Sequence, residues 1–431
     1  MKFPVLQVAL DMMNAHRALQ IAAEAVEGGA DWLEAGTPLI KSEGMEVVRE
    51  LKRRFKGHVI VADMKTVDVG GFEVEIAAKA GADIVCVLGV SDTPTITEAV
   101  KAARKYGAKI MVDLLGCADK AARAKELPKL GVDYLCVHVG VDQQMVGGNP
   151  MEELAAVAKV SKVPVAAAGG INSETAARAV KLGASIVIIG GAIIKAEKVA
   201  NATRNIKKAI SDKKSVRSEL FTKYSQSELR EAFLKVSTPN ISDAMHRKGA
   251  MHHILPHIKR NRKMVGRAIT VRTVDGDWAK PVEAIDRASK GDVIVIDACA
   301  GHTAVWGELA SWSCKLRGIE GVVIDGAARD IDAILEIDFP VFSRFTSPNA
   351  GEPKGHGEIG AEIACGGVPV RTGDWVIGDG SGVVVVPQED AVETANRAID
   401  VMERENRLRE EIKRGSTLSI VEKLEKWEKV G

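Results

Sequence analysis

The chain of 431 residues lacks several features that would assign it to a specialised class of protein. No apolar run is long enough to span a bilayer, and the stretch from Met1 to Met12 has no signal-peptide pattern, so neither a membrane-spanning nor a secreted protein is expected. The formal net charge is only +1, which excludes a strong general attraction to nucleic acid. With 46% hydrophobic and 27% charged residues, the composition is that of an ordinary globular protein with at least two domains.

Cysteine is scarce, and its positions exclude two further classes. The six cysteines are scattered through the chain, at positions 86, 117, 136, 299, 314 and 365. No pair has the spacing of a zinc site, and the pattern is not that of a disulfide framework. We therefore expect reduced, mostly buried thiols and a cytoplasmic protein.

Eight apolar segments recur up to about residue 210, separated by Ala-, Glu- and Lys-rich segments with helical periodicity. The predicted strands are Val5–Leu10, Asp31–Leu33, His58–Ala62, Asp83–Leu88, Ala108–Leu114, Asp133–Val139, Val163–Ala168 and Ser185–Ile189. Near-continuous apolar strands are typical of a parallel sheet covered on both faces. Eight such units predict an α/β fold of the (β/α)8 TIM-barrel type. A doubly wound open sheet is the alternative, although it would not need eight evenly spaced units.

Polar residues collect at one end of these strands. They are Asp11, Glu34, Asp63 with Lys65, Asp113 and His138. Because the active site of a TIM barrel lies at the carboxyl ends of its strands, these side chains predict a reaction centre at that rim. Asp113 is the weakest member, since a structural hydrogen bond would explain it as well as catalysis would.

Glycine pairs follow the last two predicted strands. They are Gly169-Gly170 and Gly190-Gly191. The loops after the seventh and eighth strands commonly form the phosphate site of a barrel, using backbone N–H groups and a short helix N-terminus. We predict phosphate binding by Gly170, Gly190 and Gly191, the alternative being that these glycines serve tight turns only.

Three motifs in order carry a family resemblance over residues 1–210. They are Asp63-Met64-Lys65-Thr66-Val67-Asp68, Leu33-Glu34-Ala35-Gly36-Thr37-Pro38-Leu39 and His138-Val139-Gly140-Val141-Asp142. Together they resemble 3-hexulose-6-phosphate synthase, of the orotidine-5′-phosphate decarboxylase superfamily. The resemblance implies a Mg²⁺-dependent homodimer that condenses formaldehyde with D-ribulose 5-phosphate, reversibly, to give a 3-hexulose 6-phosphate.

The resemblance also suggests a role for each polar residue. Glu34 and Asp63 would hold Mg²⁺, which would stabilise the enediolate formed from ribulose 5-phosphate. His138 would be the general base that removes the C1 proton.

Three further residues would complete the site. Lys65 would add positive charge beside the enediolate, and Asp11 would orient Lys65 or substrate hydroxyls. Asp68 would reach across the dimer interface into the partner's site.

Two other interpretations of the first half remain open. 3-Keto-L-gulonate-6-phosphate decarboxylase shares the Glu34 and Asp63-x-Lys65 motifs, but in that group an arginine typically follows the sixth-strand histidine. Here the residues after His138 are Val-Gly-Val-Asp-Gln, which favours the synthase. The second is a catalytically idle barrel acting as a scaffold, which the intact set of rim residues argues against.

The second half begins after a polar, charged stretch. We predict a linker over residues 211–224 and a second domain over 225–431 that ends in helices. Trp306-Gly307-Glu308-Leu309 and the run from Val323 to Asp330 resemble the family of ribonuclease activity regulator A and 4-hydroxy-4-methyl-2-oxoglutarate aldolase. This resemblance implies a swivelling β/β/α domain, often assembled as trimers or hexamers.

The same resemblance implies a second site. Asp330 would bind a divalent metal, Glu308 would assist directly or through water, and Arg329 would pair with a carboxylate of an oxo-acid. The backbone at Glu308 and Leu309 could bind the same anion. Many members have Asp where this chain has Glu308. A metal-dependent lyase and a regulatory module, such as one that binds a ribonuclease, therefore both remain open.

Overall fold

A computed structural model describes residues 3–145, 150–218, 223–422 and 424. The chain forms two compact units, divided twice along the sequence. The first unit contains residues up to Lys223 together with those from Glu403 onward, and the second contains Tyr224–Met402.

The first unit is built on a closed barrel of eight parallel strands in sequential order. The strands are β1 (Val5–Leu10), β2 (Trp32–Ala35), β3 (Val59–Thr66), β4 (Ile84–Leu88), β5 (Lys109–Asp113), β6 (Tyr134–His138), β7 (Val165–Ala168) and β8 (Ile186–Ile189). The helices up to residue 212 are α1 (Ala15–Glu27), α2 (Thr37–Glu43), α3 (Glu46–Arg54), α4 (Gly70–Lys79), α5 (Thr93–Tyr106), α6 (Lys120–Glu126), α7 (Val141–Met145), α8 (Met151–Val160), α9 (Ala176–Lys181), α10 (Gly191–Ile194) and α11 (Val199–Asp212). The prediction of a TIM barrel is confirmed.

Successive side chains along each strand point alternately to the inside and the outside of the barrel, which gives two apolar layers. Side chains of one parity fill the barrel interior, among them Val61, Met111 and Cys136. Side chains of the other parity, such as Leu33 and Ile60, join the larger core beneath the surrounding helices. Both faces of the strands are therefore buried, which explains why the sequence shows near-continuous apolar runs.

The second unit contains a mixed sheet in the order β19-β18-β10-β11-β13-β14-β9, with β12 paired to β13 and β15 paired to β10. Its strands are β9 (Leu255–His257), β10 (Met264–Arg272), β11 (Asp292–Asp297), β12 (Ala304–Trp306), β13 (Gly321–Ala328), β14 (Val341–Thr346), β15 (Glu358–Ile359), β16 (Ile363–Cys365), β17 (Val368–Val370), β18 (Trp375–Asp379) and β19 (Gly382–Val386). Its helices are α12 (Leu229–Lys235), α13 (Thr238–Ala244), α14 (Ala279–Arg287), α15 (Glu308–Arg317), α16 (Ile331–Glu336) and the first part of α17 (Ala391–Lys413). The α/β class is confirmed for this half as well.

The division into units differs from the sequence prediction at the C-terminus. We predicted that everything after residue 225 belongs to the second domain. The structure groups the last part of α17 and α18 (Leu418–Glu422) with the barrel. The physical reason is a set of ion pairs, since Arg407 lies 3.3 Å from Glu24 and Glu411 lies 2.9 Å from Arg17. The predicted end of the last helix, at Lys429, lies outside the described residues.

The segment predicted as a linker is partly attached to the barrel. Helix α11 extends through Asp212. Beyond it, Val216 exchanges backbone and side-chain hydrogen bonds with Ser173, at 3.1 and 2.8 Å. Ser218 N donates to Glu174 at 2.8 Å. Residues 213–218 therefore follow the barrel surface.

Among the residues that the structure describes, no helix is both long enough and apolar enough to cross a membrane.

Candidate active site

Strand alternation directs four polar side chains into the mouth of the barrel. Each lies two residues beyond a residue of the interior layer, and side chains two apart on a strand share a face. They are Glu34 after Trp32, Asp63 after Val61, Asp113 after Met111 and His138 after Cys136. The barrel therefore brings together polar residues that are up to 104 positions apart in the sequence, between Glu34 and His138.

Lys65 enters the same space through an irregularity of β3. The pairing of β3 with β4 shifts register between Ala62 and Thr66, and Lys65 adopts a left-handed φ of 48°. Its Nζ lies 2.9 Å from Asp63 Oδ2 and 3.2 Å from Asp113 Oδ2. Burial alone would lower the pKa of Lys65, but the charges of Asp63 and Asp113 hold it above its ordinary value. The lysine is therefore a permanent positive charge.

Asp113 connects the lysine to the histidine. Its Oδ2 lies 2.8 Å from His138 Nδ1, and its Oδ1 accepts a hydrogen bond from Leu115 N at 2.9 Å. Burial would raise the pKa of Asp113, but the hydrogen bond and charge of His138 and the charge of Lys65 hold it below its ordinary value. The ionised carboxylate accepts the proton of Nδ1 and leaves Nε2 as the free ring nitrogen. Of the two roles left open for Asp113, this geometry favours orienting His138.

Three carboxylates of the site, those of Glu34, Asp63 and Asp11, lie close enough to influence one another. Glu34 is 6% exposed and Asp63 is 7% exposed. Burial, followed by the charges of Asp63 and Asp11, raises the pKa of Glu34 well above its usual range. Asp11 is open to the cavity, yet the protein atoms around it and the charge of Asp63 raise its pKa too. This part of the site therefore has an excess of negative charge.

Two residues of the site were missed by the sequence reasoning. Gln7 is fully buried and donates a hydrogen bond through Nε2 to Glu34. Thr37 Oγ1 lies 2.8 Å from Asp63 Oδ2. The signal for Gln7 was a single polar residue inside the apolar strand Val5–Leu10, and Thr37 lies within the motif that begins at Leu33. Each donates a hydrogen bond to a carboxylate of the site and so restricts its orientation.

A cavity of about 540 Å³ joins these side chains to the glycine loops. Its lining contains Asp11, Glu34, Asp63, Lys65, Asp113, His138, Gly170, Gly190 and Gly191. All the predicted barrel residues except Asp68 therefore face one space.

The glycine loops close the far side of the cavity. Gly169 and Gly170 have φ values of 98° and 66°, and a Cβ on Gly169 would stand 2.2 Å from Val139 O. Gly190 precedes α10, so backbone N–H groups are presented at that wall. The buried Oε1 of Gln144, which also lines the cavity, has no hydrogen-bond partner within the described part of the chain.

Asp68 lies away from this cavity. It is exposed, and its carboxylate accepts a hydrogen bond from the neighbouring Val69 N at 2.7 Å. Large apolar side chains surround it in the sequence: Val67 and Val69 are each 58% exposed, and Phe72 is 65% exposed. Within one chain, Asp68 takes no part in the site.

The predicted C-terminal site has a different character. Helix α15 begins directly after Gly307, and its first N–H, from Glu308, donates to Asp330 Oδ2 at 3.2 Å. Arg329 Nε lies 3.5 Å from the same oxygen. A Cβ on Gly307 would lie 2.6 Å from that oxygen, so this approach requires glycine. The structure thus brings together Arg329, Asp330 and the backbone of α15.

The side chains of Glu308 and Leu309 do not join Asp330. The Glu308 carboxylate accepts a hydrogen bond from Trp312 Nε1 at 3.1 Å, and Leu309 is 77% exposed. Across the described ranges, no three His, Cys, Asp or Glu side chains are grouped so as to hold a metal ion, in either half.

Comparison with known proteins identifies both halves. The sequence pattern described as "Orotidine 5'-phosphate decarboxylase / HUMPS family" matches residues 4–206. The 3-hexulose-6-phosphate synthases of Mycobacterium gastri and Bacillus subtilis (strain 168) are each 41% identical over 206 residues, which make up 48% of this chain and 99% and 98% of those proteins. Through its first half, the chain belongs to this family. The barrel is therefore an enzyme of lyase type, with aldol-type chemistry.

A solved structure and a second family pattern complete the comparison. A 3-hexulose-6-phosphate synthase from Salmonella typhimurium aligns with 48% of this chain and 99% of its own, at 36% identity and a TM-score of 0.47. The pattern described as "RraA-like: Aldolase/RraA" matches residues 238–385. The fusion of the two families expected from the sequence is confirmed.

The hydrogen bond between Asp113 and His138 can be tested without an assay of activity. In the wild type we expect neutral His138 to carry its proton on Nδ1, because the ionised carboxylate accepts only. Asp113→Asn, whose side chain can also donate, should remove this preference. Long-range ¹H–¹⁵N correlation spectra of histidine-labelled protein report the tautomer directly.

The matched control is Asp92→Asn, at an exposed residue of the loop after β4 that makes no capping hydrogen bond through its side chain. It should leave the His138 signals unchanged. An unaltered Nδ1–H tautomer in Asp113→Asn would refute the orienting role.

Proposed function

We propose that the barrel catalyses the reversible aldol condensation of formaldehyde with D-ribulose 5-phosphate to a 3-hexulose 6-phosphate. One observation carries this proposal. One cavity is lined by the base His138, which a carboxylate holds in place, by Lys65, and by the buried carboxylates Glu34 and Asp63. Two glycine loops line the same cavity. The names of the relatives supply the product, the family resemblance supplies the two substrates, and the cavity supplies groups suited to them.

The chemistry follows from the positions of the side chains. His138 Nε2 removes a proton from C1 of ribulose 5-phosphate, while Asp113 stabilises the imidazolium at Nδ1. Lys65 provides positive charge toward the oxygens of the enediolate. The C1 carbon then forms a bond to the carbon of formaldehyde. As this bond forms, the C2 carbonyl of the sugar is restored. The imidazolium gives its proton to the oxygen of formaldehyde, which becomes the new hydroxyl group. The reverse sequence releases formaldehyde through the same groups.

We place a divalent metal, Mg²⁺, at Glu34 and Asp63. Mg²⁺ is commonly held by one or two carboxylates together with oxygens of substrate and water, so a group of three protein ligands is not required. Burial and the charges of Asp63 and Asp11 raise the pKa of Glu34, and a cation bound here would reduce the repulsion between these carboxylates. Bound there, the ion would supply Lewis-acid stabilisation to the developing enediolate.

The glycine loops are suited to the phosphate of the substrate. Gly170 has a conformation that favours glycine, and Gly190-Gly191 opens a short helix. Backbone N–H groups at such positions bind phosphate oxygens. With the phosphate at this wall, the other end of a five-carbon sugar can reach the region of His138 and Lys65.

A related decarboxylase is the alternative for the barrel. The substrate of that enzyme carries a carboxylate, and a cationic side chain after the sixth strand would be expected to bind it. The five residues after His138 contain no cationic side chain. Analysis of the products for CO₂ as well as formaldehyde distinguishes the two reactions.

A cytoplasmic location stays a prediction, supported by six cysteines that are all unpaired.

The function is tested on the full chain by following formaldehyde-dependent consumption of ribulose 5-phosphate in the presence of Mg²⁺. Asp63→Ala removes one proposed metal ligand and the partner of Lys65, so we expect turnover to fall by roughly 100-fold or more. A chelator should have a comparable effect on the wild type. Asp92→Ala, on the same rim but outside the cavity, is the control. Undiminished turnover in Asp63→Ala would remove the mechanism.

We also propose that the barrel works as a homodimer in which Asp68 serves the partner's site. The exposed apolar residues beside Asp68 support this, because such side chains are suited to an interface. A site built from two chains can be tested by mixing inactive variants.

Asp63→Ala and Asp68→Ala should each be inactive alone, because each lacks one group of every site. After dissociation and reassociation as a mixture, half of the dimers are mixed and carry one intact site. We therefore expect recovery of about a quarter of the wild-type activity. If Asp68 serves its own chain's site, no mixed dimer carries an intact site and the mixture stays inactive.

For the second half we propose a site for a small oxo-acid at Arg329, with Asp330 as the residue that would bind a divalent metal. The convergence of Arg329, Asp330 and the first N–H of α15 supports anion binding. The alternative is a module that binds a ribonuclease. The observed turn of Glu308 toward Trp312 leaves the part of Glu308 in a reaction as a prediction only.

Oxaloacetate is the probe for this second site. Arg329→Ala in the full chain should abolish Mg²⁺-dependent release of pyruvate if the oxo-acid proposal is correct. The barrel activity of the same variant should be unchanged, which serves as the internal control. If the wild type leaves oxaloacetate intact while a ribonuclease binds it, the regulatory interpretation replaces the lyase.

A further inference from the structure

Arg407, on the part of α17 that belongs to the barrel unit, is an almost fully buried cation, with 1% exposure. Its Nη1 lies 3.4 Å from Ala196 O and 3.3 Å from Glu197 O. Its Nη2 lies 3.3 Å from Glu24 Oε1, and its Nε donates to Glu411 at 2.9 Å. The guanidinium therefore engages two backbone carbonyls and two carboxylates at once. Its planar arrangement of five N–H donors is what makes this possible.

The two carbonyls belong to the segment that follows the glycine loop of β8. Ile193 N donates to Gly190 O at 2.9 Å, and Ala196 N donates to Ile193 O at 3.1 Å. A short run of hydrogen bonds thus connects Gly190 to Ala196 and Glu197, the residues that Arg407 binds.

A second set of contacts ties the same C-terminal segment to the loop after β1. Glu411 accepts a hydrogen bond from Arg17 at 2.9 Å, at the start of α1. Arg404 and Val421 line a cavity of about 250 Å³ together with Asp11, Met12 and Lys195. The loops after the first and the eighth strands, which are neighbours in the closed barrel, are both in reach of this segment.

The related synthases end with the barrel, because the aligned region makes up nearly all of their length. They have no equivalent of the segment after Glu403. In this chain, a buried arginine from that segment binds two carbonyls that follow α10, the short helix after the glycine loop. Burying a guanidinium is unfavourable unless its partners are well placed, so these contacts are specific.

We propose that Arg407 is a positioning residue for the barrel, holding the loop after β8 in the conformation that binds the substrate's phosphate. This inference rests on the phosphate role proposed above for Gly190 and Gly191. Loss of the guanidinium removes the donor to two carbonyls, and it leaves Arg414 as the remaining cation beside Glu24 and Arg17 as the remaining cation beside Glu411. The segment from Gly191 to Glu197 should then become more mobile, and binding of the phosphate should weaken.

The test compares Arg407→Ala and Arg407→Lys with Arg409→Ala in the full chain. Arg409 lies two residues further along the same helix and is exposed. We expect the KM for ribulose 5-phosphate to rise roughly tenfold in Arg407→Ala, with kcat changed much less, because the groups around His138 are untouched. Arg407→Lys retains charge but fewer donors, so its KM should be intermediate. Arg409→Ala should match the wild type.

Hydrogen exchange provides a readout that does not depend on turnover. Backbone amides of residues 191–197 should exchange roughly tenfold faster in Arg407→Ala, while those of the strands stay protected. If the wild type fails to convert ribulose 5-phosphate, the proposed function fails, but this comparison still decides whether Arg407 holds the loop. Equal exchange and equal KM in the Arg407 and Arg409 variants would overturn the proposal.

A purely structural role gives a different pattern. Exchange would then increase throughout the barrel, and kcat and KM would change together, which also overturns the proposal. If Arg407→Ala does not fold, Arg407→Lys and Glu24→Gln decide by the same two measurements.

Discussion

Placing charge in the mouth of an apolar barrel is the constraint on which the rest of the structure depends. Asp113, 4% exposed, lies between the ammonium of Lys65 and the ring of His138. A buried carboxylate is stable only when its partners are fixed. Those partners are fixed because a register shift in β3 directs Lys65 inward, and because β6 places His138 beside β5. The ordering of the site is therefore a consequence of electrostatics in a low-dielectric environment.

The same reasoning explains the asymmetry of the site. On one side, Lys65, Asp113 and His138 satisfy one another. On the other, burial and neighbouring carboxylates raise the pKa of Glu34 and of Asp11, while Gln7 and Thr37 donate hydrogen bonds to Glu34 and Asp63. A group of hydrogen-bonded charges around Asp113 thus lies next to a group of carboxylates, and Lys65 contacts both through Asp113 and Asp63. This arrangement is suited to forming and stabilising an enediolate.

The fused architecture adds to the barrel unit a segment that lies beyond the region matched by the related synthases. The chain leaves the barrel unit after Lys223 and returns to it at Glu403, with the whole second unit between. The returning segment contributes Arg407 and Glu411, which bind elements next to the loops after β1 and β8. The compact unit that contains the barrel is therefore discontinuous in sequence, although its family pattern ends at residue 206.

Much of this could be predicted from the sequence, and the limits have physical reasons. The barrel was predicted from eight repeated apolar strands. Their spacing, and the helical periodicity of the segments between them, indicate parallel strands covered by helices. The rim residues followed, because the topology fixes which strand ends meet. Asp113 remained ambiguous and Gln7 was missed, because a single polar residue in a strand does not reveal its partner.

Only the tertiary structure decided the rest. The hydrogen bonds of Asp113, the inward turn of Lys65 and the return of residues after Glu403 to the barrel all depend on contacts between residues far apart in the chain. Glu24 and Arg407, for example, are 383 positions apart, and no periodic pattern in the sequence connects residues at that separation. Local pattern determined which elements form and which of their faces are buried. Which charges meet was decided by packing in three dimensions.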